Sequence, residues 1–131
     1  MDRTGARAAA MKLIYAWEMG GDAGEETRQD LLEIQPDERE CDYMERLVSG
    51  VQENVAAIDA EVAKYAVDWK IERISRVDLA IMRAAIYEIG YIGQPAGVAV
   101  NEALELARTY STPEAVPFVN GVLGSYVRSR Q

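Results

Sequence analysis

Apolar residues at helical spacing between Ile74 and Tyr126 constrain the fold of this chain more than any other feature. They recur every three or four residues through three successive patterns, the period at which side chains share one face of an α-helix. Ser75 and Asp78 mark the first helix start, because a serine hydroxyl can accept a hydrogen bond from a free N–H and a carboxylate suits the positive helix end. Pro95 ends the first pattern, since proline cannot continue a helix. The stretch therefore predicts three consecutive helices.

The remaining chain shows the same period and few of the alternating β-branched patterns that indicate strands. It predicts a first helix over Thr4–Met19, a short helix over Glu25–Glu33 and further helices after Pro36 and after Asn54. We therefore predict an all-α fold of about seven helices. No internal repeat or linker divides the sequence, so we expect residues 1–131 to form one domain.

Composition excludes several functional classes. Hydrophobic residues make up 49% of the 131 residues, too many for an intrinsically disordered chain. No apolar run approaches the roughly 18 residues of a membrane span, and the single cysteine, Cys41, excludes an internal disulfide framework, so we expect a cytoplasmic protein. The sequence has no histidine, the most frequent general base and metal ligand. Cys41, Ser75 and Ser111 therefore lack an activating partner, and we expect neither an enzyme nor a metal or cofactor site.

The charge distribution bears on nucleic-acid binding. A net charge of −8 argues at first against it. However, 14 of the 22 acidic residues lie between residues 18 and 62, which leaves the two ends of the chain neutral or mildly basic. The ends can therefore share a face that a nucleic acid tolerates. We expect four arginines to gather on that face, apart from the acidic segment: Arg3, Arg7, Arg76 and Arg83.

Two arginines and a tyrosine lie in one row of the first predicted helix. Arg3, Arg7, Met11 and Tyr15 follow each other at four-residue spacing. Two guanidinium groups and a phenol ring in one row can hold a phosphate backbone and stack an unpaired base. The same spacing also fits a solvated helix edge with a tyrosine at the margin of the core, and the spacing alone favours that second interpretation.

A second row in the helix after Ser75 contains Arg76 and Arg83. Arg83 stands within an apolar pattern, where a charge is costly unless it is paired or kept at the surface. One interpretation is an internal ion pair with Asp78 or Glu88. The other is an arginine held beside the core to meet an external phosphate or base, and the spacing does not separate the two.

Local context gives expectations for four further residues. Phe118 begins the last helical pattern, where it can stack on a base or pack in the core. Trp69 lies between two predicted helices and is interpreted as a packing anchor. Gly121 is expected to permit a close approach of two helices, and Pro113 to occupy a first helical position.

Four segments in order resemble the NusB family of bacterial transcription antitermination factors. They read ARAAAMKLIYAWE (Ala6–Glu18), VDLAIMRAAIYEI (Val77–Ile89), VAVNEALELARTYS (Val98–Ser111) and FVNGVL (Phe118–Leu123). The resemblance covers nearly the whole chain. It implies a NusB-like domain built from two packed three-helix units, and a protein that catalyses no reaction.

The resemblance also implies the partners. A protein of this family would pair with NusE, which also serves in the small ribosomal subunit, and the pair would bind the boxA element of nascent ribosomal RNA transcripts. The complex would then join NusA, NusG and RNA polymerase. The family also includes homodimers that cover their RNA face. The implied RNA-binding residues are Arg3, Arg7, Tyr15, Arg76, Arg83 and Phe118.

A second hypothesis is a protein-interaction module that keeps the NusB fold with weak or lost RNA binding. The acidic net charge and the few arginines of the first helix favour it, because phosphate binding depends on positive charge. Titration with RNA, with and without NusE, separates the two hypotheses.

Overall fold

The computed structural model describes residues 2–20 and 38–131. The predicted helix over Glu25–Glu33 lies outside these ranges. Within them the chain is all-α and has no strand, which confirms the predicted fold class. A 3₁₀ turn spans Ile71–Arg73 and a π-helical turn spans Glu88–Ile92. The described α-helices are α1 (Arg3–Glu18), α2 (Glu38–Glu53), α3 (Val55–Tyr65), α4 (Arg76–Tyr87), α5 (Ala96–Tyr110) and α6 (Ala115–Ser129).

Helix α4 is the centre of the fold. It packs against all five other described helices, while α1 also packs on α2 and α5 also packs on α6. Every residue from Asp78 to Ile86 is buried. A helix that is apolar on nearly all sides must lie inside the protein, and the run AIMRAAI, which is apolar except for Arg83, makes α4 such a helix. Any charge on α4 therefore has to find its partner on a neighbouring helix. None of the described helices is long and apolar enough to cross a lipid bilayer.

Helix termini follow the predicted local chemistry. The Ser75 hydroxyl accepts a hydrogen bond from the backbone N–H of Asp78 at 3.4 Å, so the predicted start of α4 is confirmed. The Asp2 carboxylate caps α1 in the same way, through the N–H of Gly5 at 2.7 Å. Such caps satisfy backbone donors that have no partner inside the helix. They fix where α1 and α4 begin, and hence the register in which the two helices pack.

A π-helical turn sets the end of the central helix. The carbonyl of Glu88 accepts hydrogen bonds from the N–H groups of both Gly93 and Gln94, at 2.9 Å each. Gly93 is left-handed, with φ 84°, a conformation that glycine adopts without steric cost. The turn keeps Glu88 buried and directed into the fold.

Several local expectations were wrong. A side chain at Gly121 would meet nothing within 4 Å, so this glycine permits no close helix approach. The close approaches occur at Gly50, against the ring of Tyr87, and at Gly90, against the hydroxyl of Tyr126. Pro113 precedes α6 instead of opening it. Such tertiary contacts leave no local signature in the sequence.

Candidate nucleic-acid interface

Arg7 is buried and paired. Arg7 as a whole is only 6% exposed. Its Nε donates a hydrogen bond to Oε1 of Glu88 at 2.7 Å. Glu102 lies 3.7 Å from the same guanidinium. Burial lowers the pKa of Arg7, but the hydrogen bond and charge of Glu88 outweigh it and the pKa rises. Through these ion pairs Arg7 connects α1 to Glu102 of α5 and to Glu88 of the π-helical turn.

Arg83 is the second buried arginine, at 3% exposure. Its Nε and Nη2 donate to the two carboxylate oxygens of Asp59 at 2.8 Å each, and its Nη1 donates to Glu18 at 3.2 Å. The internal ion pair is therefore present, but with other partners than the predicted Asp78 or Glu88. Asp78 instead accepts a hydrogen bond from the Ser111 hydroxyl at 2.6 Å.

The two remaining arginines are also paired, with part of each side chain exposed. Arg3 contacts Glu40 at 2.6 Å and lies 3.7 Å above the ring of Tyr43. Arg76 contacts Glu18 at 2.8 Å. Glu18 thus bridges Arg76 and Arg83. The two hydrogen bonds from Arg83 to Asp59 are bidentate, the strong form of a charge-assisted pair.

The prediction that the four arginines gather apart from the acidic segment is wrong. Arg76 and Arg83 form one cluster around Glu18, whereas Arg3 and Arg7 form another around Tyr43. Carboxylates from the acidic segment, including Glu40 and Asp59, supply the partners. The structure therefore brings the four arginines together in two pairs. Removing one partner of a buried ion pair lowers the free energy of unfolding by about 3–5 kcal/mol. The guanidiniums of Arg7 and Arg83 therefore stabilise the fold through their carboxylate partners.

Glu18 makes folding stability depend on pH in the acid range. Burial raises its pKa, but the hydrogen bond to Arg76 and the charge of Arg83 outweigh this, and the pKa falls below its ordinary value. Above about pH 4.3, the ordinary glutamate pKa, Glu18 makes its full contribution to the free energy of unfolding. This contribution is lost as the pH falls through the lower pKa of the folded state.

We expect Glu18→Gln to flatten the decline in the free energy of unfolding between about pH 5 and pH 2, because the charged form no longer contributes. Urea denaturation at a series of pH values measures this. Glu105→Gln, at an exposed carboxylate on α5 paired with Arg108, is the matched control and should leave the slope unchanged. Equal slopes for wild type and Glu18→Gln would contradict the assignment.

Tyr15 lies in a groove beside the amino half of α4. The groove has a volume of about 160 Å³ and is lined by Met11, Lys12, Tyr15, Val77 and Tyr110. Tyr110 is exposed. The Nζ of Lys12 lies 4.9 Å from the centre of its ring. The groove offers two phenol rings and one cation to a ligand.

Phe118 lies in a second groove with a volume of about 360 Å³. Its ring meets the ring of Trp69 edge to face, with 6.4 Å between centroids. Trp69 is 55% exposed, so its interpretation as a packing anchor was wrong. The groove is lined by Trp69, Arg73, Ile74, Ser75, Asp78, Thr112, Glu114, Ala115 and Phe118.

Residues next to each other in the sequence line the two grooves. Val77 lines the first and the next residue, Asp78, lines the second. Likewise, Tyr110 lines the first groove and Thr112 lines the second. Ser111, between them in sequence, donates a hydrogen bond to Asp78. We call the two grooves together the aromatic face and define it by four rings: Tyr15, Trp69, Tyr110 and Phe118.

Cations near the aromatic face remain available to a ligand. Lys12 and Arg73 line its grooves and Lys70 follows Trp69, and all three side chains are exposed. Each lacks a carboxylate partner among the residues that the structure describes. The sequence interpretation had missed Lys12, Arg73 and Tyr110. Lys12 stands three residues before Tyr15 on the same helix, a spacing that could have pointed to it.

Comparison with known proteins places the chain in a family. The NusB family model matches residues 4–128. The transcription antitermination protein NusB of Acetivibrio thermocellus is 44% identical over 130 residues, which cover 98% of this chain and 90% of that protein. The protein of the same name from a Thermoanaerobacter species is 34% identical, with 98% and 91% covered.

Solved structures agree with this assignment. T. maritima NusB superposes with a TM-score of 0.82 at 32% identity, covering 95% of this chain and 89% of that one. A chain from the crystal structure of antitermination factors NusB and NusE in complex with dsRNA gives a TM-score of 0.85 at 24% identity, covering 97% and 96%. The second likeness concerns the fold alone. The family match over nearly the whole length and the 44% identity show that this chain belongs to the NusB family of transcription antitermination proteins.

Proposed function

We propose that this protein is a non-catalytic antitermination factor that binds single-stranded boxA-type RNA of nascent ribosomal RNA transcripts on its aromatic face, together with a NusE-type protein. The complex then joins NusA, NusG and RNA polymerase in the cytoplasm. One observation carries the proposal: four aromatic rings line two grooves that neighbouring residues connect, and beside them lie cations with no carboxylate partner among the residues that the structure describes. Single-stranded RNA is bound in this way, by rings that stack unpaired bases and by cations that meet phosphates.

The predicted site residues take different roles in this proposal. Tyr15 and Phe118 stack bases directly. Arg3 and Arg76 are partly exposed, so each can contact a phosphate of the bound RNA. Arg7 and Arg83 act through the fold, because their buried guanidiniums are occupied by the carboxylates of Glu88 and Asp59. Exposed Glu114 lines the groove of Phe118 and can accept a hydrogen bond from an amino group of a base.

The charge balance explains the need for a partner. Lys12, Lys70 and Arg73 stand near the aromatic face, but so do the exposed acids Asp68 and Glu114. A nearly neutral surface attracts RNA weakly. A basic NusE-type protein bound alongside supplies positive charge and raises the effective concentration of the RNA at this surface.

The test is a titration of boxA-type RNA with the protein, with and without a NusE-type partner. We expect weak binding alone and tighter binding with the partner. With about two to four phosphates neutralised, the slope of log K against log salt concentration should be roughly −1.5 to −3. An RNA of scrambled sequence is the control for specificity.

A second candidate function is the pure interaction module, supported by the ion pairing of all four predicted arginines. If the NusE-type partner binds while neither the protein nor the pair binds RNA, this second function is the correct one.

A further inference from the structure

A third groove lies on the other side of the Trp69–Phe118 pair. It runs between the carboxyl end of α3 and the outer face of α6, and it has a volume of about 330 Å³. The same two rings form its wall, so it continues directly from the aromatic face. It is lined by Tyr65, Ala66, Val67, Asp68, Trp69, Pro117, Phe118, Gly121, Val122 and Ser125.

Gly121 keeps this groove open. It lies within α6, on the groove side, and a side chain there would project into space with no atom within 4 Å. Glycine in a helix interior is less favourable than other residues, and no packing against the protein itself compensates for it here. The open space in front of Gly121 therefore suits a ligand.

The far end of the groove carries a positive charge. Ser125 lines the groove, and Nη2 of Arg128 donates a hydrogen bond to its hydroxyl at 3.1 Å. Arg128 is exposed and has no carboxylate partner among the residues that the structure describes. Asp68 is the acid on the opposite rim. Aromatic rings at one end of the groove and the Arg128 guanidinium at the other match a base followed by phosphates.

We propose that this groove is an extension subsite for the same single-stranded RNA, in which a base stacks beside Trp69 and Phe118 and a phosphate reaches Arg128. This inference rests on the proposed function and deepens it. Ten residues of helix separate Phe118 from Arg128, a distance of about 15 Å along the helix axis. A stacked RNA strand covers this distance with roughly four nucleotides at about 3.4 Å each, and an extended strand needs fewer.

The test uses Gly121→Leu, which fills the groove. Leucine favours the helix more than glycine does, so we expect the melting temperature to rise by about 2–6 °C, and any loss of RNA binding cannot then come from unfolding. Gly97→Leu is the matched control, since Gly97 is an exposed helical glycine of α5 with equally open surroundings. Both variants are titrated with a short boxA-type RNA and with the same RNA extended by a few nucleotides at either end, in the presence of a NusE-type partner.

We expect Gly121→Leu to weaken binding of the extended RNA by about 5- to 150-fold, the effect of one lost base stack, and to leave the short RNA unaffected. Arg128→Gln should reduce the salt slope by about 0.7 with the extended RNA only. Unchanged binding of both RNAs, or equal weakening of both, overturns the subsite. Weaker binding of the NusE-type protein without RNA overturns it in favour of a protein ligand. If the wild-type protein binds neither RNA, the proposed function itself fails.

Discussion

Arg7→Met should lower the free energy of unfolding by about 3–5 kcal/mol, because it leaves Glu88 charged and buried without its partner. Glu88 is only 2% exposed, so water cannot replace the guanidinium. Denaturant unfolding followed by circular dichroism measures the change. Arg108→Met is the matched control: Arg108 also pairs with a glutamate, but both side chains are exposed, and such pairs contribute about 0–1 kcal/mol.

The double variant Arg7→Met/Glu88→Leu should regain most of the lost stability, because two apolar side chains of similar size can replace a buried pair at little cost. The same variant separates the structural role of Arg7 from a direct RNA contact. If it restores stability and still binds the NusE-type partner and RNA like the wild type, Arg7 acts through the fold. A loss below about 1 kcal/mol in Arg7→Met alone would contradict the buried pair.

Phe118→Leu should weaken boxA-type RNA binding by about 1–3 kcal/mol, since leucine keeps an apolar side chain against the core but offers no ring for a base to stack on. Trp69→Leu should have a comparable effect, because the two rings meet edge to face. Fluorescence titration of labelled RNA with the protein and a NusE-type partner gives the affinities, while circular dichroism verifies the helical content.

Tyr91→Leu is the control for this prediction. Tyr91 is 45% exposed and stacks on Tyr87 at the carboxyl end of α4, with 5.1 Å between ring centroids. Removing this ring should leave RNA affinity unchanged, because it lies outside the grooves of the aromatic face. Equal losses in Phe118→Leu and Tyr91→Leu would indicate nonspecific stacking and would remove the support for the proposed site.

Both predictions concern residues, Arg7 and Phe118, for which the sequence left two roles open, as it did for Arg83. Arg83 illustrates the reason. Its position in an apolar run required either a partner or a route to the surface, and the sequence named Asp78 and Glu88 because they were near in the chain. The structure uses Asp59 and Glu18, on two other helices. Ion-pair partners depend on how helices pack, and local spacing carries no information about that.

The sequence by itself determined the fold class and the start of the central helix α4. Helical periodicity and the Ser75 cap act over a few residues, so they can be read without knowledge of the packing. The family resemblance likewise rested on local segments. The tertiary structure alone decided which charges are buried in pairs, that Trp69 is exposed beside Phe118, and that Lys12 and Arg73 line the same face. These features join residues distant in the chain, and the burial of α4 among five helices determines which side chains meet and which reach solvent.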